Sequence, residues 1–307
     1  MIGVVGAGAF GSALAVAFAR GGMQVRLWAR EAGPAMAADF PETVTVTAEI
    51  GSLLGADVIL LCIPMQQMRS FLQTHAASLN GHPLIACCKG LDLVSLQGPT
   101  AQIAAFCPES TPAILTGPSF AADIIKGLPT ALTLACASDD VGKGLQTLLV
   151  SPNLRLYRNT DVIGAELGGA IKNVIAIACG AAVGQRMGDS ARAALMTRGF
   201  AEMQRLAAVL GARPDTLMGL SGFGDMVLTC TSEQSRNFRY GVALGRGDSF
   251  DATTTVEGVA TAQAAAALAA RMGVDMPITT ILAAITTGAL QVSDALKQLL
   301  NRPLKPE

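Results

Sequence analysis

Aromatic side chains are scarce in this 307-residue chain: one Trp, two Tyr and ten Phe, 4% in all. Its core must therefore be built from Ala, Leu, Val, Ile and Met, and with 51% hydrophobic residues the composition is that of a helix-rich globular protein, not a disordered one. Positive charge is not in excess either: 22 Lys and Arg stand against 23 Asp and Glu, a formal net charge of -1. Without a global positive field, nucleic acid and anionic membrane surfaces are excluded as partners. CxxC spacings are absent, so a zinc site has no basis and no metal is expected. The seven cysteines, an odd count, lie mostly in apolar runs, as Cys62, Cys87, Cys88, Cys136 and Cys179 do, and read as buried reduced thiols. No secretory leader is expected, because glycines and Arg20 interrupt the opening apolar pattern; a cytoplasmic protein is expected. Only the stretch 162–183 is apolar enough to suggest a membrane span. Glu166, Lys172 and Asn173 lie near its middle, where each charge would cost roughly 2.5 to 3.5 kcal/mol, so a buried core helix is expected and no membrane span.

Length favours two domains, at roughly 100 to 200 residues each. The opening run Met1 to Val5 is short and apolar, then Gly6-Ala-Gly8-Ala-Phe-Gly11 leads into an Ala-rich helix ended by Gly21-Gly22. Further strands are expected at 25–28, 57–63, 84–88, 113–115, 130–136 and 154–158. Strands alternating with helix-length segments imply a Rossmann-type, doubly wound parallel α/β sheet over 1–160. From Asp161 the patterns turn helical, with Ala-rich segments at 161–184, 189–210, 255–272 and 277–286 separated by glycine-rich loops such as 219–224. An all-α domain over 161–307 is expected, ending in a frayed tail at 302–307.

The glycine turn suits a dinucleotide. Gly6 permits the tight turn, Gly8 lets backbone N–H groups approach a pyrophosphate, and Gly11 lets the helix pack on the strand, while the helix N-terminus attracts the anion. The second strand ends at Trp28-Ala29-Arg30. An NAD-specific protein usually places Asp or Glu there; Arg30 suits a 2'-phosphate and favours NADP, although it could be an ordinary surface arginine and Glu31 beside it could serve a ribose hydroxyl. Lys89-Gly90 follows an apolar strand at the edge where open α/β sheets bind ligands. Gly117-Pro118-Ser119-Phe120-Ala121 follows another, offering backbone donors and a hydroxyl, or simply a turn. Within 161–184, Lys172 and Asn173 are the one strongly polar pair for many residues, with Gly168 and Gly169 a turn earlier. A lysine among Gly, Ala, Ile and Val is desolvated and lowered toward general acid and base use, unless it reaches water or pairs with Glu166. Asp225 follows closely spaced glycines in what reads as a loop, and Ser235-Arg236-Asn237 groups hydroxyl, guanidinium and amide, a set suited to a phosphate ester, though each could be a turn or a helix cap. These groups sketch a small anionic, polyol-like substrate.

Taken together, Gly6-Ala-Gly8-Ala-Phe-Gly11, Cys88-Lys89-Gly90, Gly117-Pro118-Ser119-Phe120-Ala121, Ile171-Lys172-Asn173-Val174, Ser221-Gly222-Phe223-Gly224-Asp225 with Leu228-Thr229-Cys230, Ser235-Arg236-Asn237 and Val256-Glu257-Gly258 closely resemble the bacterial-type glycerol-3-phosphate dehydrogenase family over nearly the whole chain. The resemblance implies interconversion of sn-glycerol 3-phosphate and dihydroxyacetone phosphate with NAD or NADP, in a cytoplasmic dimer feeding phospholipid synthesis. It implies Lys172 as the proton carrier, oriented by Asp225, and Lys89, Gly117, Ser119, Asp225, Ser235, Arg236 and Asn237 as substrate-binding residues. Ala9, Phe10, Arg30, Lys89, Ala121, Arg236 and Glu257 match positions that touch the cofactor. Ala9 and Thr255 depart from an expected serine and valine, and Asp123 stands where Glu is commoner. The alternatives are a two-domain dehydrogenase of a 2-oxo acid or sugar acid, and a catalytically silent dinucleotide sensor.

Overall fold

The structure, a computed structural model, describes residues 1–31, 40–292, 294 and 295; the tail expected at 302–307 lies outside them. Eight strands form one sheet in the order β3-β2-β1-β4-β5-β6-β7-β8. They are β1 (Ile2–Val5), β2 (Val25–Trp28), β3 (Val44–Thr47), β4 (Val58–Leu61), β5 (Leu84–Ala86), β6 (Pro112–Thr116), β7 (Thr130–Cys136) and β8 (Leu154–Asn159). β1 is paired in parallel with both β2 and β4, so the chain reverses its winding there, and the crevice beyond the carboxyl end of β1 is the switch point of the sheet.

Two features differ from the expectation. β7 runs antiparallel to β6, and β8 follows β7 in parallel, so the sheet is mostly rather than wholly parallel. An apolar run is equally compatible with either direction, which is why the reversal leaves no mark in the residues. β3 is additional; its Val-Thr-Val-Thr alternation lies half-buried at the sheet edge, too weak a pattern to stand out.

Both sheet faces are covered. On one, α1 (Ala9–Arg20) packs Leu14 and Phe18 against Ile2, Val4, Leu27 and Leu60. On the other, α2 (Met65–Leu79) and α3 (Pro99–Phe106) bury Met68, Leu72 and Ile103 against Val5, Ile59, Leu61 and Ala86. Short helices α4 (Ala121–Ile125) and α5 (Asp139–Leu148) complete this part.

Past β8 the chain is helical. Asp161 caps the next helix, accepting a hydrogen bond from the Gly164 N–H at 2.9 Å, and α6 (Val162–Gly184) then runs for 23 residues. It is long and apolar enough to cross a membrane, with mean hydropathy 1.6, but 83% of its most apolar window is buried inside the protein, as expected of a core helix. Around it lie α7 (Gly188–Val209), α8 (Pro214–Met218), a single π turn at Leu220–Gly224, α9 (Asp225–Thr231), α10 (Arg236–Arg246), α11 (Glu257–Met272) and α12 (Pro277–Thr286). Two buried attachments tie α6 to the sheet domain. Glu166 accepts from the Thr100 N–H at the start of α3 at 2.7 Å, and burial raises its carboxyl to about 7. It is therefore committed to α3 and does not pair with Lys172. A Cβ on Gly169 would stand 2.6 Å from the Thr116 hydroxyl at the end of β6, so only a glycine lets helix and strand meet there.

The crossing of α6 and α10 is tighter still. A Cβ on Gly241 would run into the Ile177 carbonyl, one on Gly245 into the Ala181 carbonyl, and one on Gly180 into the Phe238 carbonyl. Two helices with glycine pairs four residues apart thus touch backbone to backbone, which a side chain would forbid. We expect Gly241→Ala to destabilise the protein by about 1 to 3 kcal/mol through overpacking, despite the roughly 1 kcal/mol by which alanine favours a helix. Gly144→Ala on α5, where a new Cβ meets nothing within 4 Å, should raise stability; urea denaturation of the two variants makes the comparison.

Candidate active site

At the switch point, the turn after β1 is built by contact. Gly6 has φ +102°, and a Cβ there would stand 2.6 Å from the Cys62 carbonyl oxygen. A Cβ on Gly11 would strike the Gly6 carbonyl, so the third glycine holds α1 against the turn. Gly8 is different: a Cβ there meets nothing within 4 Å, and no side chain caps the helix it begins. Open space over an uncapped helix N-terminus is the environment a pyrophosphate needs, so the residues fit a dinucleotide. Ala9 is exposed and Phe10 partly buried, both in the first turn of α1. Ala121 begins α4, whose residues pack beside α1. Arg30 is exposed just past the end of β2 and stands apart from the remaining groups.

The polar centre lies where α6 faces the ends of β5 and β6. Asp225 is 1% exposed and joins two lysines: Lys172 donates to its Oδ1 at 2.7 Å and Lys89 to its Oδ2 at 2.6 Å. Lys89 also donates to the Gly117 carbonyl oxygen at 3.0 Å, which Ser119 shares at 3.0 Å. Gly117, with φ +135°, turns that carbonyl after β6. Lys172 is 6% exposed, and its second bond goes to Thr229 Oγ1 at 2.6 Å; that hydroxyl donates in turn to the Asp225 carbonyl at 2.6 Å. Burial is the main cause that lowers Lys172, to about 8, with Asp225 pulling the other way and Lys89 adding to the fall. One anion between two cations leaves a net positive centre, suited to an anionic substrate.

Asp225 does not sit in a loop, as its glycines suggest, but opens helix α9 after the π turn. A Cβ on Gly168 would stand 2.6 Å from the Ser221 carbonyl oxygen, so the absence of a side chain at Gly168 lets this turn pack against α6. π turns are found mostly where a helix must misalign to aim a side chain, and here the aimed group is the carboxylate. Thr229, four residues on, lies under Asp225 on the same helical face; that spacing was the available signal for it.

The Ser235-Arg236-Asn237 group opens α10. Ser235 is buried and its hydroxyl caps the helix, accepting from the Phe238 N–H at 3.1 Å. Arg236 is exposed. Asn237 bridges helices: its amide donates to Asn173 Oδ1 at 2.9 Å and its carbonyl accepts from the Gly258 N–H at 2.9 Å. Half-buried Glu257 accepts from the Met65 N–H at 3.3 Å; burial raises its carboxyl, offset by attraction to Arg236, Lys89 and Lys172. The structure therefore brings Lys89, Gly117, Ser119, Lys172 and Asp225 into one bonded cluster, with Arg236, Asn237 and Glu257 on its flank.

A switch-point glycine turn joined to a desolvated lysine on a helical domain defines a nicotinamide-dependent dehydrogenase of a hydroxyl or carbonyl substrate. Known proteins agree. The family described as NAD-dependent glycerol-3-phosphate dehydrogenase matches in two parts, its N-terminus over residues 1–141 and its C-terminus over 161–297. The chain is 59% identical over 307 residues to a glycerol-3-phosphate dehydrogenase [NAD(P)+] of Cereibacter sphaeroides, covering 100% of both, and 57% identical to one of Ruegeria sp. over 319 residues, covering 100% of this chain and 99% of that one. Among solved structures, a crystal structure of glycerol-3-phosphate dehydrogenase from Coxiella burnetii superposes with a TM-score of 0.92 at 35% identity, over 98% of each chain. The chain belongs to the NAD-dependent glycerol-3-phosphate dehydrogenase family.

With Asp225→Asn the two ammonium groups face each other without their shared anion. We expect a loss of about 3 to 5 kcal/mol at pH 7, the scale of a broken buried pair. The folded protein holds Lys172 below its ordinary value, at about 8, and losing the attraction of Asp225 lowers it further, so stability returns in part as pH rises and the amine sheds its proton, which it does below that value. Urea unfolding of the variant at pH 7 and pH 9 measures both effects.

Proposed function

We propose that this protein interconverts sn-glycerol 3-phosphate and dihydroxyacetone phosphate with NAD(P), supplying glycerol 3-phosphate for phospholipid synthesis. The observation that carries the proposal is the buried Lys172–Asp225–Lys89 bridge, in a chain that shares more than half its residues with enzymes named for this reaction. The family match sets aside both the 2-oxo acid or sugar acid dehydrogenase and the silent sensor.

The bonds assign the roles. An ammonium has three N–H groups; Lys172 commits two, to Asp225 and Thr229, and the third is free for the oxygen on C2 of the substrate. In the reducing direction Lys172 Nζ gives its proton to the carbonyl oxygen; in the oxidising direction the neutral amine takes the hydroxyl proton. A dinucleotide held by its pyrophosphate over Gly8 would supply or accept the hydride. Lys89, also with one N–H uncommitted, Ser119 and Gly117 hold the reacting end. Arg236 meets the phosphate; Ser235 and Asn237, whose groups are largely engaged by the cap and the helix bridge, shape that end of the site. Gly6, Gly8, Gly11, Ala9, Phe10, Ala121 and Glu257 line the cofactor's place. We set the domain boundary near residue 160, between the end of β8 and the start of α6. A homodimer in the cytoplasm belongs to the same reading, which seven unbridged cysteines suit; sedimentation at the monomer mass would remove the dimer.

Lys172→Ala should lower kcat by roughly 100-fold or more while dinucleotide binding survives. In the intact enzyme, kcat/KM for dihydroxyacetone phosphate should fall as pH rises through about 8, and for glycerol 3-phosphate rise over the same range, because the protonated and neutral amines serve opposite directions. Near-normal turnover in the variant, or profiles of equal slope, would sink the assignment.

Arg30 favours NADP. This reading rests on an exposed arginine just past β2, whose guanidinium would suit a 2'-phosphate. Arg30→Ala should raise KM for NADPH several-fold more than KM for NADH, as read in steady-state assays with dihydroxyacetone phosphate.

A further inference from the structure

Three of the seven cysteines gather beside the glycine turn, and sheet geometry sorts them. Cys62 directly follows β4 and Cys87 directly follows β5. These strands are parallel neighbours with Leu61 opposite Ala86, and the Cys87 N–H donates to the Leu61 carbonyl at 3.0 Å, extending the ladder one step. Cys62 therefore stands beside Cys87. Adjacent strands run about 4.7 to 4.9 Å apart, inside the range of Cα separations a disulfide spans. Both side chains pack on the α1 face of the sheet. Cys88 points to the other face, where its thiol meets Met65 Sδ at 3.9 Å.

We propose that Cys62 and Cys87 are an oxidisable dithiol which closes to a disulfide beneath the glycine turn and weakens dinucleotide binding. Cys62 is partly exposed and Cys87 buried, so an oxidant of the peroxide class reaches Cys62 first. The Cys62 sulfur attacks the peroxide O–O bond, forming a sulfenic acid and releasing water. The Cys87 sulfur then attacks the sulfenic sulfur; the S–S bond forms, the S–O bond breaks, and a second water carries off the remaining thiol proton. One peroxide is reduced and two thiols are oxidised. Burial pushes the Cys87 thiol well above its usual range, so Cys87 is not the first target.

The link to binding is steric. The Cys62 carbonyl oxygen is 2.6 Å from where a Cβ on Gly6 would stand, and its own Cβ is 3.1 Å from where one on Gly11 would stand. β1 and β5 flank β4 on opposite sides, so drawing Cys62 toward Cys87 pulls it off these contacts and off the Val5 carbonyl to which its N–H donates at 2.7 Å, and the turn loses its support. This step rests on the reading of that turn as the dinucleotide seat.

The test treats the full-length protein with hydrogen peroxide. Mass spectrometry should find the loss of two hydrogens and, after non-reducing tryptic digestion, peptide 31–69 joined to peptide 70–89. The cross-link should persist in Cys88→Ser and vanish in Cys87→Ser. Titration with NADPH, followed by its fluorescence, should show affinity falling roughly tenfold on oxidation, the scale of one lost hydrogen bond, and returning with dithiothreitol. Cys87→Ser should keep its affinity under the same treatment. No cross-link, a cross-link through Cys88, or equal loss of affinity in Cys87→Ser overturns the proposal. A reduced protein that binds no dinucleotide would instead defeat the proposed function, and the cross-link map would still decide the dithiol.

Discussion

The Asp225 carboxylate, buried between two lysine ammoniums, is the constraint around which the rest is arranged. Removing three charged groups from water costs several kcal/mol for each ion, and the attraction within the trio offsets this only when the geometry is tight. The tightness comes from three directions. The segment that follows β5 carries Lys89, α6 carries Lys172, and the π turn delivers Asp225, with Thr229 accepting a second bond from Lys172. Each element reaches its place through a position where a side chain would collide: Gly169 admits Thr116, and Gly168 admits the π turn.

The same economy of side chains governs the helical domain. Gly180 and Gly184 on α6 oppose Gly241 and Gly245 on α10, so the two backbones meet directly, and the start of α10 comes close enough for Asn237 to bond Asn173. Scarce aromatics are a consequence: a core of backbone contacts and Ala has little space for rings. The positive residue of charge in the site and the exposed Arg236 beside it follow from this placement.

Much of this was legible in the residues. Seven strands were visible as apolar runs, because a strand covered by helices on both faces must be apolar throughout. β3 was not, since an edge strand of alternating Val and Thr carries half the signal. Nor was the reversal at β7, because hydrophobicity records burial and not direction. In the site, Lys172 stood out as a cation in an apolar helix. Asp225 was recognised but placed in a loop, since its glycines read as breakers, while the structure uses them to pass a π turn under α6. Ser235 and Asn237 show the opposite limit: residue type suggested ligand contacts, and folding has already engaged those groups as a cap and a bridge.

The attachment of Glu166 to the first turn of α3 has a bearing on timing. The helix that carries Lys172 is riveted to the sheet domain by a buried carboxylate, and the lysines that share Asp225 come one from each domain. The charged trio is therefore held by contacts that the chain itself makes on folding, and it forms as the two domains pack.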